Sequence, residues 1–376
     1  MRVQQTADVV VPFLDLAPSH RGLKRQMLRD IERLLDDGAF TNGPAVARFE
    51  SAFATYCGAD HCVGVSSGLD ALRLGLLATR LERGAEVVVP AATFVATLEA
   101  VTQAGGVPVL VDIDEEDYCI DPAAAAAALT PRSHSLIAVH LYGQMADMHG
   151  LGAAARRDGV LMVEDACQAH GAERSGLRAG AAGDAAAFSF YPGKNLGAAG
   201  DAGALVTNDD DVDELVRALR EHGQSAKYVH AYEGWTARLD TIQALVLEHK
   251  LALLDSWNDE RRQAATFYGA ALGGVGDLVL PAAVEGSDPV WHLYVVRTAS
   301  PDRLAAHLRD FGVGTGRHYP APVHLTDAYE HLGYRAGAFP VAEALARECL
   351  SLPIFPGITE AQLTHVVDCV RGFFDG

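Results

Sequence analysis

The chain has 376 residues, of which 49% are hydrophobic and 21% charged, with a formal net charge of −19. Its size and composition suit a globular protein with a large core, and the acidic balance argues against nucleic acid or an anionic membrane as the main partner. No run reaches the roughly 18 apolar residues of a membrane span, and the opening MRVQQTADVVVPFLDL lacks a signal-like core, so the cytoplasm is the expected location.

Two amphipathic helices are predicted first. LKRQMLRDIERLLDDG places Leu23, Met27, Ile31 and Leu34 at helical spacing and stops at Gly38, and TNGPAVARFESAFATYCG enters its helix through Gly-Pro. From residue 61 short apolar runs alternate with helical segments. Strands are predicted at 61–65, 86–90, 107–112, 135–140 and 160–165, with helices near 67–79, 93–104, 122–129 and 147–158 between them. Two more strands, 184–190 and 202–207, precede a helix at 210–222. Runs apolar on both faces and spaced by helices indicate a mainly parallel sheet covered on both sides. After a mostly helical stretch, 237–272, WHLYVVR (291–297) reads as a strand, and DRLAAHLRDFG and AEALARECL as helices. The expected organisation is α/β: a large domain, 1–254, and a smaller α+β domain, 255–376.

The chemistry gathers at predicted strand ends, where open α/β sheets bind ligands. VEDACQAHGA (163–172) ends a strand on Asp165. Lys194 lies in AFSFYPGKNLGAAGDAGALV (187–206), and it is one of only four lysines among 30 Lys+Arg. An amine condenses with a carbonyl and a guanidinium does not, which gives a lysine here a chemical reason. In GVSSGLDALRLGL (64–76) a strand runs through Ser67, Gly68 and Leu69 into a helix, leaving backbone N–H groups free for a phosphate. Ser189 can add a hydroxyl, and Phe94 in PAATFVAT can stack on a planar ring. His318, Tyr319 and His324, in a Pro-punctuated loop, are candidate substrate contacts, as is Arg238. The six cysteines show no metal-ligand or disulfide spacing and are expected to be buried thiols; no metal is expected. GLGAAA (150–155) and GVGTG (312–316) lack the strand–loop–helix setting of a dinucleotide site.

The ordered set PFLDL, NGPAVARFE, SSGLDAL, PAATFVAT, HLYGQMADM, VEDACQAHGA, SFYPGKNLGAAGDAGA, RLDTIQA and HYPAPVHL spans nearly the whole chain. It resembles the DegT/DnrJ/StrS family of pyridoxal-phosphate (PLP) sugar aminotransferases. The resemblance implies the fold type I aminotransferase architecture with a seven-stranded sheet, a homodimer with shared active sites, and PLP held as an internal aldimine on Lys194. Asp165 would pair with the pyridine nitrogen, Gln168 would lie near the phenolic oxygen, Phe94 would stack on the ring, and Gly68, Leu69 and Ser189 would meet the phosphate.

Two positions depart from the family pattern. Thr236 in GWTARLD replaces an asparagine that reaches the partner subunit's phosphate, and Ala92 replaces a frequent asparagine. A dehydratase branch carries histidine in place of the lysine, and Lys194 argues against it. The substrates implied are a nucleotide-diphosphate keto-deoxysugar and L-glutamate. The likeness is greatest to the dTDP-3-keto-6-deoxyhexose 3-aminotransferases; amination at C4, a cyclitol ketone, or a non-catalytic regulator of the same fold are the alternatives.

Overall fold

A computed structural model describes residues 9–376. The leader reading of the first residues therefore lies largely outside the described residues. Seven strands form the central sheet: β1 (His61–Val65), β2 (Glu86–Pro90), β3 (Val107–Val111), β4 (Ser133–Val139), β5 (Leu161–Asp165), β6 (Ala185–Ser189) and β7 (Gly203–Thr207). Their order is β1-β7-β6-β5-β4-β2-β3, and only β7 runs against the others. The parallel strands are buried almost throughout because helices cover both faces, as their unbroken apolar sequences require. This is the mainly parallel seven-stranded α/β sheet expected from the sequence.

Two cores flank the sheet. One contains Phe49, Phe53, Phe188 and Phe190, whose rings meet edge to face at 5.0–5.3 Å between Phe53 and the two sheet phenylalanines and between Phe49 and Phe190. The other is built on Leu72, Leu74, Val87, Val89 and Leu98. Helix Gly68–Ala78 crosses the sheet closely enough that its glycines are required. A Cβ on Gly68 would lie 2.7 Å from Ser189 Cβ and 2.8 Å from Cys167 Sγ, and one on Gly75 2.8 Å from Leu205.

The C-terminal part is built on an antiparallel pair, β8 (Tyr294–Arg297) and β9 (Cys349–Leu352). Helices Leu254–Leu272, Pro301–Asp310 and Glu360–Asp375 share its core with Tyr268, Tyr294, Leu304 and Val366. Val11, which the sequence reading groups with the large domain, packs into this core and pairs in parallel with Val313.

Three element predictions shift. The 237–272 stretch breaks after Leu251 into two helices, Thr241–Leu251 and Leu254–Leu272. AEALARECL stops being helical at Glu348, because Cys349 and Leu350 are buried in register with Arg297 and Val296. WHLYVVR becomes a strand only at Tyr294, because the carbonyls of Trp291 and His292 turn to the buried Arg261 guanidinium, at 3.1 and 3.3 Å.

Candidate active site

The parallel strands deliver their C-terminal ends to one edge of the sheet, and most of the predicted cofactor residues meet there. β1 leads to Ser67, which caps helix Gly68–Ala78 by accepting the Asp70 N–H at 3.1 Å. β2 leads to Phe94, β5 ends on Asp165 and β6 ends on Ser189. Between them lies a cavity of about 320 Å³ whose lining includes Ser67, Gly68, Leu69, Phe94, Asp165, Gln168, Ser189, Lys194 and Tyr319. Gly203 pairs with both Val65 and Ser189, and a Cβ there would sit 2.3 Å from the Ser67 carbonyl. The Ser67–Leu69 turn and the Ser189 hydroxyl are thereby drawn together by strand register.

Asp165 is buried and held on both oxygens. Thr97 Oγ1 donates to Oδ2 at 2.7 Å, and the Cys167 N–H donates to Oδ1 at 3.3 Å. Thr97 is in turn 2.7 Å from the Thr93 hydroxyl. This threonine relay is absent from the sequence reading, although the i, i+4 spacing in ATFVAT was its available signal. The Gln168 side-chain carbonyl accepts the Tyr142 N–H at 2.8 Å, and its amide donates to Tyr319 Oη at 3.2 Å. Phe94, 50% exposed, tilts against Tyr319 with ring centroids 5.4 Å apart.

Lys194 sits at the apex of the loop joining β6 to β7. Burial pushes its amine below the usual lysine range, while Cys167 and Asp165 act in the opposite direction. Some of its surface stays accessible, because it faces the cavity rather than packed core. A partly desolvated lysine beside a fixed carboxylate is suited to attack a carbonyl, since the neutral amine is the nucleophile.

A second cavity, of about 240 Å³, opens on Lys194 and is walled by Phe13, His292, Leu293, His318, Tyr319 and Ile354 among others. His318 stacks on Phe13 at 5.4 Å, and its Nδ1 lies 2.8 Å from Ser351 Oγ. Burial, then the Lys194 charge, lowers its pKa to about 4. The native state therefore holds fewer protons than the unfolded chain between pH 6.5 and 4. Stability from this group is complete above pH 6.5 and falls as the pH drops through that window. Denaturation midpoints across pH 4–7 are expected to fall more steeply for wild type than for His318→Asn, whose amide can keep the Ser351 bond; equal slopes would remove His318 as a source of acid sensitivity.

Other sequence candidates lie elsewhere. His324 is fully buried, 3.1 Å from Glu343 and edge-on to Phe339, so it is a core residue and not a loop contact. Thr236 is exposed, its hydroxyl 3.0 Å from His222 Nε2, and Arg238 pairs with Glu221 at 2.7 Å. Neither lines the cavity of its own chain. The cysteines are all free, and five are buried as expected; Cys167 instead faces the cavity. Among the described residues no cluster of metal-ligating side chains occurs, and no helix is long and apolar enough to cross a membrane.

This arrangement has known counterparts. Residues 22–371 match the DegT/DnrJ/EryC1/StrS aminotransferase family. The chain belongs to that family. It is 48% identical to the erythromycin biosynthesis sensory transduction protein EryC1 of Saccharopolyspora erythraea, over 96% of this chain and 99% of the relative. It is 46% identical to the dTDP-3-amino-3,4,6-trideoxy-alpha-D-glucose transaminase of Streptomyces venezuelae, over 96% and 95%. Among solved structures, that of S. venezuelae DesV in complex with a ketimine intermediate superposes with a TM-score of 0.95 at 46% identity, covering 98% of this chain and 99% of that one. As a family member the chain is an aminotransferase of the α/β class.

Proposed function

We propose that this aminotransferase moves an amino group from L-glutamate to C3 of a dTDP-linked 3-keto-6-deoxyhexose, giving an amino sugar and 2-oxoglutarate. The observation that carries the reading is Lys194, partly desolvated, facing one cavity with the fixed carboxylate of Asp165 and the Ser67–Leu69 turn. The named transaminase relative supports the sugar class.

The cavity suits pyridoxal phosphate. The N–H groups that open helix Gly68–Ala78, together with the Ser189 hydroxyl, fit a phosphate, and glycine at 68 lets that helix end sit close to Ser189. Asp165 fits a protonated pyridine nitrogen, with Thr97 and the Cys167 N–H fixing its direction. Gln168 offers its amide to the ring's phenolic oxygen, and Phe94 its face to the ring. When bound, the cofactor supplies an electron sink for the carbanion formed at the donor Cα. Lys194 would hold the cofactor through its aldehyde, and its amine would be placed to take a proton from the donor Cα and to return one to the sugar carbon. Tyr319, which lines both cavities, and His318, which lines the second, would meet the sugar; His318 is neutral at pH 7, so it offers hydrogen bonds rather than charge.

We place the working form as a cytoplasmic homodimer. The hairpin beyond Glu221 presents Tyr228, Val229 and Tyr232 at 81%, 55% and 44% exposure, a surface fitted for a second copy that could bring Thr236 and Arg238 to the neighbouring site. The regulatory name of the 48% relative raises a non-catalytic reading, but a regulator has no need of a desolvated lysine beside a fixed carboxylate. Incubating dTDP-3-keto- and dTDP-4-keto-6-deoxyhexoses with glutamate, with mass spectrometry and NMR of the products, is expected to give the 3-amino sugar. A 4-amino product would reassign the position, and no product from any keto-sugar would revive the regulator.

A further inference from the structure

Lys250 is the one lysine of the four besides Lys194 that is enclosed by protein. It lies on helix Thr241–Leu251 and is 3% exposed. It forms no ion pair among the described residues. Its ammonium donates to the Gly197 carbonyl at 2.5 Å, and the Trp257 ring lies 5.9 Å away. Burial alone lowers its pKa, to about 8. An unpaired buried cation is costly, and an apolar side chain of the same length would relieve that cost. Stability does not account for a lysine here.

What the lysine holds is the loop that carries Lys194. That loop leaves β6 at Ser189, returns to β7 at Gly203 and folds tightly on itself. Lys194 N–H donates to the Tyr191 carbonyl at 2.8 Å, and Ala198 N–H to the Phe190 carbonyl at 2.7 Å. A Cβ on Gly197 would sit 2.3 Å from the Pro192 carbonyl oxygen. From outside, helices Thr241–Leu251 and Leu254–Leu272 grip it at three successive points. Asn258 accepts from the Asn195 amide at 2.9 Å, Lys250 takes Gly197, and the Gln243 side-chain oxygen accepts the Ala199 N–H at 2.8 Å. Asn195 is further tied to the Val290 carbonyl and to His292. The residue directly before Asn195 is Lys194.

We propose that Lys250 is a positioning residue for the transamination, its ammonium pinning the Gly197 carbonyl so that the loop presents the Lys194 amine at a fixed point of the cavity. The inference rests on Lys194 being the reactive amine. An enzyme loses rate steeply when a reacting group is displaced by even about 1 Å, so the clamp acts on turnover rather than on binding.

The test compares Lys250→Met with Lys250→Gln in the full cofactor-loaded enzyme. Met fills the space without the bond, whereas Gln can still donate to the carbonyl. The Met variant is expected to keep or raise its melting temperature, to lose kcat about 10-fold or more with KM for the keto-sugar within about twofold, and to exchange amide hydrogens faster only in peptides covering 191–202. The Gln variant should recover at least about a third of wild-type kcat and protect the loop. Wild-type kcat and loop exchange in the Met variant overturn the proposal, as does exchange rising across the whole protein together with a lower melting temperature. If the Met variant does not fold, a stable Gln variant with kcat down 10-fold or more overturns it, and one near wild type supports it. Borohydride trapping followed by peptide mapping keeps the two readings apart: cofactor trapped away from Lys194 defeats the assignment of the amine, while the exchange data still report on the clamp.

Discussion

Lys194→Ala is expected to yield a folded protein with no lysine-linked cofactor absorbance near 400–430 nm (roughly the range of such conjugated imines) and with turnover reduced by at least about 10⁴-fold. The alanine removes both the amine that would bond the cofactor and the base that would move the proton. Lys194→Arg should be as inactive, because a guanidinium stays protonated and does not condense with an aldehyde. That pair separates chemistry from charge: a cation is kept in one variant and lost in the other, yet neither can react. Spectra, reductive trapping and single-turnover rates measure it. Turnover within about 10-fold of wild type in either variant would move the nucleophile elsewhere and sink the central assignment.

Asp165→Asn carries the second large effect. The amide keeps the size of the carboxylate and can keep the Thr97 hydroxyl as a donor to its oxygen. It cannot hold a proton on the pyridine nitrogen by charge. The variant is expected to bind cofactor with modest loss but to turn over about 10²–10⁴-fold more slowly, with the deficit in kcat. Thr97→Val supplies the graded control. It leaves the carboxylate charged but removes one donor, a net loss of about 1 kcal/mol in orientation and hence about fivefold to tenfold in rate. If Asp165→Asn retained wild-type kcat, Asp165 would be only a strand-end carboxylate satisfied by its neighbours.

Much of the architecture was legible before any coordinates. Apolar runs of five to seven residues, most of them set between helical segments, placed all seven sheet strands to within two residues. Burial on both faces leaves such runs no polar alternation, so their pattern is hard to mistake. Two misread segments, 291–297 and 342–350, lie in the C-terminal part. There β8 and β9 are short strands held by one partner each, and local pattern competes with long-range pairing.

The site divided in the same way. Ser67, Gly68, Phe94, Asp165, Ser189 and Lys194 could be named from sequence because each stands at or just past a strand end, and parallel strands bring those ends to one edge. The Thr97–Asp165 contact, the cavity shared by Phe13 and His318, and the grip of Lys250 on Gly197 could not, since each joins elements that only the fold makes neighbours. His324 shows the reverse error: a polar residue in a Pro-rich loop looked exposed, but Glu343 on helix Pro340–Glu348 pairs with its Nε2 and Phe339 meets the ring edge-on, which places it in the core. Sequence alone thus determined the strand order of chemistry, a lysine where arginine would be useless and a carboxylate at a strand end, because covalent chemistry and backbone direction are local properties. Tertiary structure alone decided which of those groups are desolvated, oriented and clamped, because burial and hydrogen-bond partners come from residues up to hundreds of positions away.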